Sequence, residues 1–372
     1  MPLRSATLLL LAIVTGARAG ETPAWPADIS ALFRPPAEFA GASDGRRSPL
    51  QFADGRKAAN ARDWAARRAE IRAQWIALLG AWPELLAAPR IEPVGQTARD
   101  GFTQRSVKIE VAAGKFQHAL LLVPAGAPAE PTKKFPAVLV PFYDPETSAG
   151  VAGRPLRDFG AQLARRGFVA LCLGSPGGDA RKPDLGAATC QPLHYLGYLA
   201  ANCYTALAHL PNVDPRRIGV IGHSYGGKWA MFAAAFDERF ACAVWSDPGI
   251  VFDEIRASIN YWEPWYLGLE PKITRAPGLI STASPRTGAY ATMIAQGRDL
   301  HEVHALMAPR PFLVTGGAED PPARWKSLHH AIEVNRVLGF ESRVAMHNRP
   351  AHDPTAEANE AAYRFLEAVL KP

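Results

Sequence analysis

The stretch Ile218-Gly219-Val220-Ile221-Gly222-His223-Ser224-Tyr225-Gly226-Gly227 decides how the whole chain is read. A short β-branched run, the pattern of a buried strand, delivers a serine onto a turn flanked by glycines. A helical pattern then starts at once over residues 228–236, with Ala230, Ala233, Ala234 and Ala235 keeping it slim. This is the sequence form of a nucleophile elbow, in which a strained serine backbone holds Oγ exposed. A side chain at Gly222 or Gly226 would collide with the adjoining strand and helix. With 31 glycines in 372 residues, a bare Gly-x-Ser-x-Gly could equally be an idle turn. Its context raises it above that: a strand before, a helix after, and acid and histidine candidates in the right order downstream.

Working outward, strand and helix patterns alternate on both sides. Upstream, residues 103–111 and 117–123 alternate about Ala112-Ala113-Gly114 and predict an antiparallel hairpin. Strand 137–140, helix 156–165, strand 168–173 and helix 193–210 then lead into the elbow strand, 218–221. Downstream come strands 242–245, 312–314 and 342–346 and a closing helix, 356–370. That rhythm implies right-handed crossovers and a parallel sheet. A hairpin feeding such a sheet, with the nucleophile at its centre, is the order of an α/β-hydrolase: α/β class, a mostly parallel central sheet with helices on both faces.

The catalytic domain is expected over residues 101–372, with an inserted lid at about 250–300 that breaks the rhythm. The insertion is punctuated by proline and carries Phe252, Tyr261, Trp262, Trp265 and Tyr266. Trp262 and Trp265 are candidates to line a substrate cleft; the alternative is that these aromatics only pin the insertion down. Residues 20–100 form an N-terminal helical extension: a Pro/Ala/Gly-rich arm to about residue 57, then an amphipathic helix over 56–79. In that helix Trp64, Ala65, Arg68, Ile71, Trp75, Leu78 and Leu79 recur at helical spacing, and Gly80 and Pro83 close it. The tryptophans are expected to be packing anchors.

A serine hydroxyl needs a base within hydrogen-bond reach. His352, in the loop between the last strand and the last helix, is the preferred base; His347, at the strand end, has less freedom to reach across. His223 points away by turn geometry and is read as structural. The acid must lie at a strand end near the histidine. Asp320, after strand 312–314 and Thr315-Gly316-Gly317, is preferred; Asp247, in Trp245-Ser246-Asp247-Pro248-Gly249, is the alternative, and Glu319 a distant third. An oxyanion hole needs two backbone donors. They are expected from Tyr225, after the nucleophile, and from Tyr143 in Pro141-Phe142-Tyr143-Asp144.

Residues 1–19 read as a secretory signal, with Arg4, an apolar core over 8–14 and the cleavage site Ala17-Arg18-Ala19. The apolar run is far below the ~20 residues that span a bilayer, so a secreted or periplasmic protein without a membrane span is expected. The formal net charge of +6 is scattered, with no Lys/Arg block to suggest nucleic acid. Of the four cysteines, Cys172 and Cys242 read as buried hydrophobes, and Cys190 with Cys203 as a possible disulfide. No metal or cofactor is implied.

Residues from about 135 to 370 look like the α/β-hydrolase superfamily, and several pieces resemble bacterial glucuronoyl esterases and related secreted carbohydrate esterases. Gly222-His223-Ser224-Tyr225-Gly226-Gly227-Lys228 is similar to their elbow, as is Asp299-Leu300-His301 with Ala305 to Pro311 to the segment before their last strands. The resemblance implies that Lys228 contacts hydroxyls of a sugar acid, and that the acid can stand at either strand end. Where those enzymes usually carry arginine after the serine, this chain has Tyr225, which keeps acetyl xylan and cephalosporin deacetylases in view. Lys228, Arg256, Arg286 and Arg298 are candidates to bind an acidic sugar.

The expectation is therefore a serine esterase acting on a carbohydrate-linked acetyl or glucuronoyl ester. The alternatives are a serine peptidase of the prolyl oligopeptidase type and a non-catalytic α/β-hydrolase homologue. The first lacks a propeller-length N-terminal region here, and the second would be expected to have lost a triad member.

Overall fold

Nine strands form one sheet, in the order β1-β2-β3-β5-β4-β6-β7-β8-β9. The computed structural model describes residues 25–126, 134–255, 266–273, 275 and 278–372. The expected signal segment, Arg256, Trp262 and Trp265 lie outside the described residues.

Strands β1 (Ile91–Arg99), β2 (Phe102–Ala112) and β3 (Lys115–Pro124) form an antiparallel meander, and β3 runs antiparallel to β5 (Val169–Leu173). From β5 through β4 (Phe135–Pro141), β6 (Val213–His223), β7 (Cys242–Ser246), β8 (Phe312–Gly316) and β9 (Val344–Asn348) every pairing is parallel. The parallel strands are continuous apolar runs, buried on both faces, because each face is covered by helices. The chain has the α/β-hydrolase fold.

Two cores share this sheet. Leu139, Val220, Trp245 and Val314 point toward Trp75 and Leu79 of helix Ala61–Leu79, helices Pro192–Ala208 and Tyr225–Phe236, and helix Trp325–Val337. Val138, Val140, Ile221, Val244 and Leu313 point the other way, toward Phe159 and Leu163 of helix Phe159–Arg165 and Phe365 and Leu366 of helix Ala356–Leu370. Alternate residues along a strand serve opposite faces, so each parallel strand feeds both cores.

Helix Ala61–Leu79 starts later than its periodicity suggested, because the Asn60 side chain accepts from the Asp63 N–H at 3.0 Å and caps it there. Its buried face is Trp64, Arg67, Ile71, Trp75 and Leu79, so Arg67 rather than Arg68 is the inward arginine. Trp75 packs fully buried and donates its indole N–H to Glu302 at 2.8 Å.

The possible Cys190–Cys203 disulfide is not formed: all four cysteines are free and buried. Cys190 precedes the helix that starts at Pro192, and Cys203 lies three turns inside it. At ~1.5 Å rise per residue that separation is far beyond disulfide reach. Among the described residues no helix is long and apolar enough to cross a membrane.

Candidate active site

The register of the parallel strands builds the site. His223 of β6 pairs with Ser246 of β7, Ser246 with Thr315 of β8, and Thr315 with His347 of β9. The loops that leave just beyond this row carry Ser224, Asp247, Asp320 and His352, and the loop after β4 carries Tyr143. Ligands of open α/β sheets gather at this edge, the carboxyl ends of the strands.

Ser224 has φ 55 and ψ −119, a backbone state costly for a non-glycine residue. It is held there by its N–H donating to Ser246 O at 2.8 Å and its carbonyl accepting from Lys228 N at 3.0 Å. A Cβ on Gly222 would come 2.1 Å from Gly226 O, and one on Gly226 would come 2.0 Å from Pro141 O. Both glycines are therefore required by close backbone approach.

His352 Nε2 is 2.9 Å from Ser224 Oγ, and His352 Nδ1 is 2.7 Å from Asp247 Oδ2. Asp247 is fully buried, and its carboxylate also accepts from the N–H groups of Gly317 at 2.6 Å, Asp320 at 2.8 Å and Glu319 at 3.2 Å. The preference for Asp320 is thus corrected: the carboxylate on the imidazole is that of Asp247. Asp320, equally buried, turns back toward β7 and accepts from Gly249 N at 2.9 Å and Ile250 N at 2.6 Å. Each acid binds the backbone of the other's loop. Burial, with the neighbouring Asp247 charge, raises the Asp320 carboxyl above its ordinary range.

His347 stays on β9 with Nε2 3.6 Å from Glu357, away from the serine. His223 is buried, its Nδ1 3.1 Å from both the carbonyl and the Oγ of Ser246, and its ring centroid 4.8 Å from that of His352. Burial and the nearby cations push its imidazole well below the usual histidine range, so it stands as a neutral packing partner. Glu319 contributes its backbone N–H to Asp247.

One residue went unread in the sequence. Arg349, buried between β9 and His352, donates to Thr315 O at 2.6 Å, His352 O at 2.7 Å, Asp353 O at 2.8 Å and Ser246 Oγ at 3.3 Å. It ties the histidine loop to the ends of β7 and β8. An arginine three residues before His352 is the only sequence cue, and alone it does not distinguish a solvated loop cation.

Tyr225 opens helix Tyr225–Phe236, where first-turn N–H groups lack intrahelical partners and point out of the helix end. Tyr143 lies opposite, its ring centroid 5.0 Å from that of Tyr225. Burial raises its phenol, and a hydrogen bond to Ser224 works against that rise. Its side chain therefore meets Ser224, where the sequence suggested only a backbone donor. The insertion reaches this point as well: Tyr266 stacks on Tyr225 at 5.5 Å and donates its hydroxyl to Ala180 O.

Lys228 is 3% exposed, donates to Gly249 O and lies 5.2 Å from the Phe252 ring. Its ammonium is engaged inside the elbow's own frame. Arg286 is paired with Glu254 at 2.6 Å and Arg298 with Glu302 at 2.7 Å, so both are engaged within the fold. Among the described residues no group of three or more His, Cys, Asp or Glu side chains is placed to hold a metal ion.

A family model described as glucuronyl esterase, fungi, matches residues 204–338, which contain the elbow and both acids. Among solved structures the chain is similar to a glucuronoyl esterase from Solibacter usitatus, at 20% identity and TM-score 0.67, covering 88% of this chain and 99% of that one. It is also similar to a promiscuous carbohydrate esterase from a marine bacterial metagenome, at 18% identity and TM-score 0.64, covering 89% and 98%. A third is a glucuronoyl esterase from Teredinibacter turnerae, at 18% identity and TM-score 0.61, covering 92% and 94%.

Proposed function

We propose that this chain is an exported serine carboxylic-ester hydrolase that cleaves a carbohydrate-linked ester through an acyl-enzyme. The observation that carries the reading is the unbroken relay from Ser224 Oγ through His352 to the buried Asp247. A hydroxyl so placed is activated by the imidazole as it attacks, and the carboxylate fixes the tautomer and stabilises the imidazolium that forms.

In this mechanism Ser224 Oγ adds to the ester carbonyl while His352 Nε2 takes its proton. The oxyanion of the tetrahedral intermediate lies within reach of the Tyr225 N–H, and Tyr143 supports it from across the site. His352 then returns the proton to the departing alcohol oxygen of the ester. A water molecule, deprotonated by the same histidine, attacks the acyl group and frees the serine. The family match over residues 204–338 and the carbohydrate esterases among the structural neighbours support a sugar-linked ester. The secretory segment expected at 1–19 suits a polysaccharide substrate, which is met outside the cell.

Hydrolysis of p-nitrophenyl acetate beside a benzyl glucuronate ester, by the purified chain and by Ser224→Ala, tests the reading. Turnover of either ester that vanishes in Ser224→Ala is expected, and the preferred ester assigns the acyl group. Turnover of neither, or turnover that survives the substitution, would overturn it.

A further inference from the structure

Lys228 stands near the start of helix Tyr225–Phe236 and is 3% exposed. A cation at a helix N-terminus opposes the helix dipole, and an ammonium taken out of water is costly unless it is paired. Both costs fall here on a residue four positions after Ser224. Its partners must offset them.

The Lys228 ammonium donates to Gly249 O and lies 5.2 Å from the centroid of the Phe252 ring, whose face attracts a cation. Gly249 O belongs to the peptide group that joins Gly249 to Ile250. The N–H of that same peptide donates to Asp320 Oδ1 at 2.6 Å, and the N–H of Gly249 donates to Asp320 Oδ2 at 2.9 Å. One peptide is thus gripped at both ends, its oxygen by an ammonium and its N–H by a carboxylate. Charge-assisted hydrogen bonds of this kind are stronger than neutral ones. Lys228 also acts on the carboxylate through its charge: burial and the Asp247 charge raise the Asp320 carboxyl, and the Ile250 N–H, Arg324 and Lys228 work against that rise.

The gripped peptide begins two residues after Asp247. Asp247 and Gly249 both stand in the left-handed region, at φ 48 and 75, and Pro248 between them has no N–H to anchor. A non-glycine residue at positive φ persists only where its surroundings over-determine it. The first turn of the helix lies close against this loop: a Cβ on Gly227 would come 3.1 Å from Pro248 Cβ and 3.3 Å from Ser246 O. Beyond Pro248 the Gly249–Ile250 peptide is the next group that can be anchored, and Lys228 and Asp320 hold it from opposite sides. We propose that Lys228 is a positioning residue for the Asp247 carboxylate, acting through the Gly249–Ile250 peptide. This role rests on the reading of Ser224, His352 and Asp247 as a hydrolytic relay. It differs from the role that the family resemblance implies for Lys228, contact with hydroxyls of a sugar acid, because it needs no contact with the substrate.

Two sugar-free probes test this, with a benzyl glucuronate ester for comparison. They are turnover of p-nitrophenyl acetate and the single phosphorylation of Ser224 by diethyl p-nitrophenyl phosphate, each read per active site from the p-nitrophenolate released. Lys228→Met removes the ammonium at nearly constant shape. It should lower kcat for p-nitrophenyl acetate and the phosphorylation rate together, by roughly ten- to a hundredfold with KM nearly constant, because a small misplacement of a positioned group costs on that order. Lys228→Gln keeps an uncharged donor and should lose roughly three- to tenfold, so it decides the matter even where Lys228→Met does not fold. A merely structural lysine would lower the urea midpoint and leave the rate per active site at the parent level. Parent rates per active site in either variant, a loss confined to the glucuronate ester, or a Lys228→Gln chain no faster than Lys228→Met would each overturn the inference. A parent chain that is phosphorylated at Ser224 yet turns over neither ester would count against the hydrolytic reading alone, and the phosphorylation rates would still decide the role of Lys228.

Discussion

Replacing Asp247 by asparagine tests the relay at its least obvious member. The carboxylate Oδ1 accepts from two N–H donors, Gly317 and Asp320, whereas Oδ2 accepts from His352 Nδ1 and more weakly from Glu319 N. An amide nitrogen placed at the Oδ1 position would face two donors at under 3 Å and forfeit both bonds. Placed at Oδ2 it forfeits only the Glu319 bond, so the asparagine orients with its NH₂ toward the imidazole. His352 must then accept at Nδ1 and carry its proton on Nε2, where it can no longer take the proton of Ser224. The cost of that wrong tautomer is about 10⁴ in kcat, with the fold retained. Asp320→Asn is the control. It loses one of the two bonds to Gly249 and Ile250, a stability loss of ~1–3 kcal/mol, but leaves the His352 partner in place, so kcat should stay within roughly tenfold. Burst-corrected turnover of p-nitrophenyl acetate, with urea unfolding to separate folding from chemistry, measures both. If Asp320→Asn abolished turnover while Asp247→Asn retained it, the assignment of the two acids would be refuted.

The same pair makes stability depend on pH. Because the folded state raises the Asp320 carboxyl, it holds that proton to higher pH than the unfolded chain does. The stability from this group is whole below the ordinary carboxylate range and is lost as pH rises through the raised folded value. Urea midpoints across mildly acidic pH should show that loss flattened in Asp320→Asn; identical profiles would refute it. Tyr143→Phe removes the phenol that meets Ser224 and should lower kcat by roughly ten- to a hundredfold with KM nearly constant; unchanged kcat would confine Tyr143 to packing. Gly226→Ala drives a Cβ to 2.0 Å from Pro141 O, so it should cost more than about 3 kcal/mol and displace the nucleophile. A folded, fully active Gly226→Ala would mean the elbow can relax.

The sheet was legible because buried parallel strands are short continuous apolar runs between helical periods, and the elbow was legible because its glycines are forced. Strand β1 was not seen: over Ile91–Arg99 nearly every residue is exposed, so there is no alternation to read, and Pro93 and Gly95 interrupt it. The choice of acid was not legible either. Asp247 and Asp320 both follow strands at the same edge, and sequence spacing says where a carboxylate starts and nothing of which way it turns. That turn is set by the backbone at Asp247, whose φ of 48 aims its side chain across β8 toward the histidine loop. The possible disulfide failed for a related reason, since three helical turns separate Cys203 from the helix start that Cys190 precedes.

These features meet in one physical point about how the site stays assembled. A proton relay needs its three groups held to within a fraction of an ångström, yet here each stands on a separate loop, and loops are the mobile parts of such a fold. The reciprocal bonds of Asp247 to the β8 loop and of Asp320 to the β7 loop brace the Asp247 loop against its neighbour through buried, charge-assisted hydrogen bonds, which are stronger than neutral ones. Arg349 ties the His352 loop to the same strand ends by spanning Thr315, Ser246 and the His352 carbonyl. His352 itself keeps a side chain 37% exposed, as its proposed work on both an ester and a water requires. The burial that fixes the acids and the exposure that lets the base work are thus divided between different residues. That division explains a second buried carboxylate beside the first: it holds the frame on which the first one orients the imidazole.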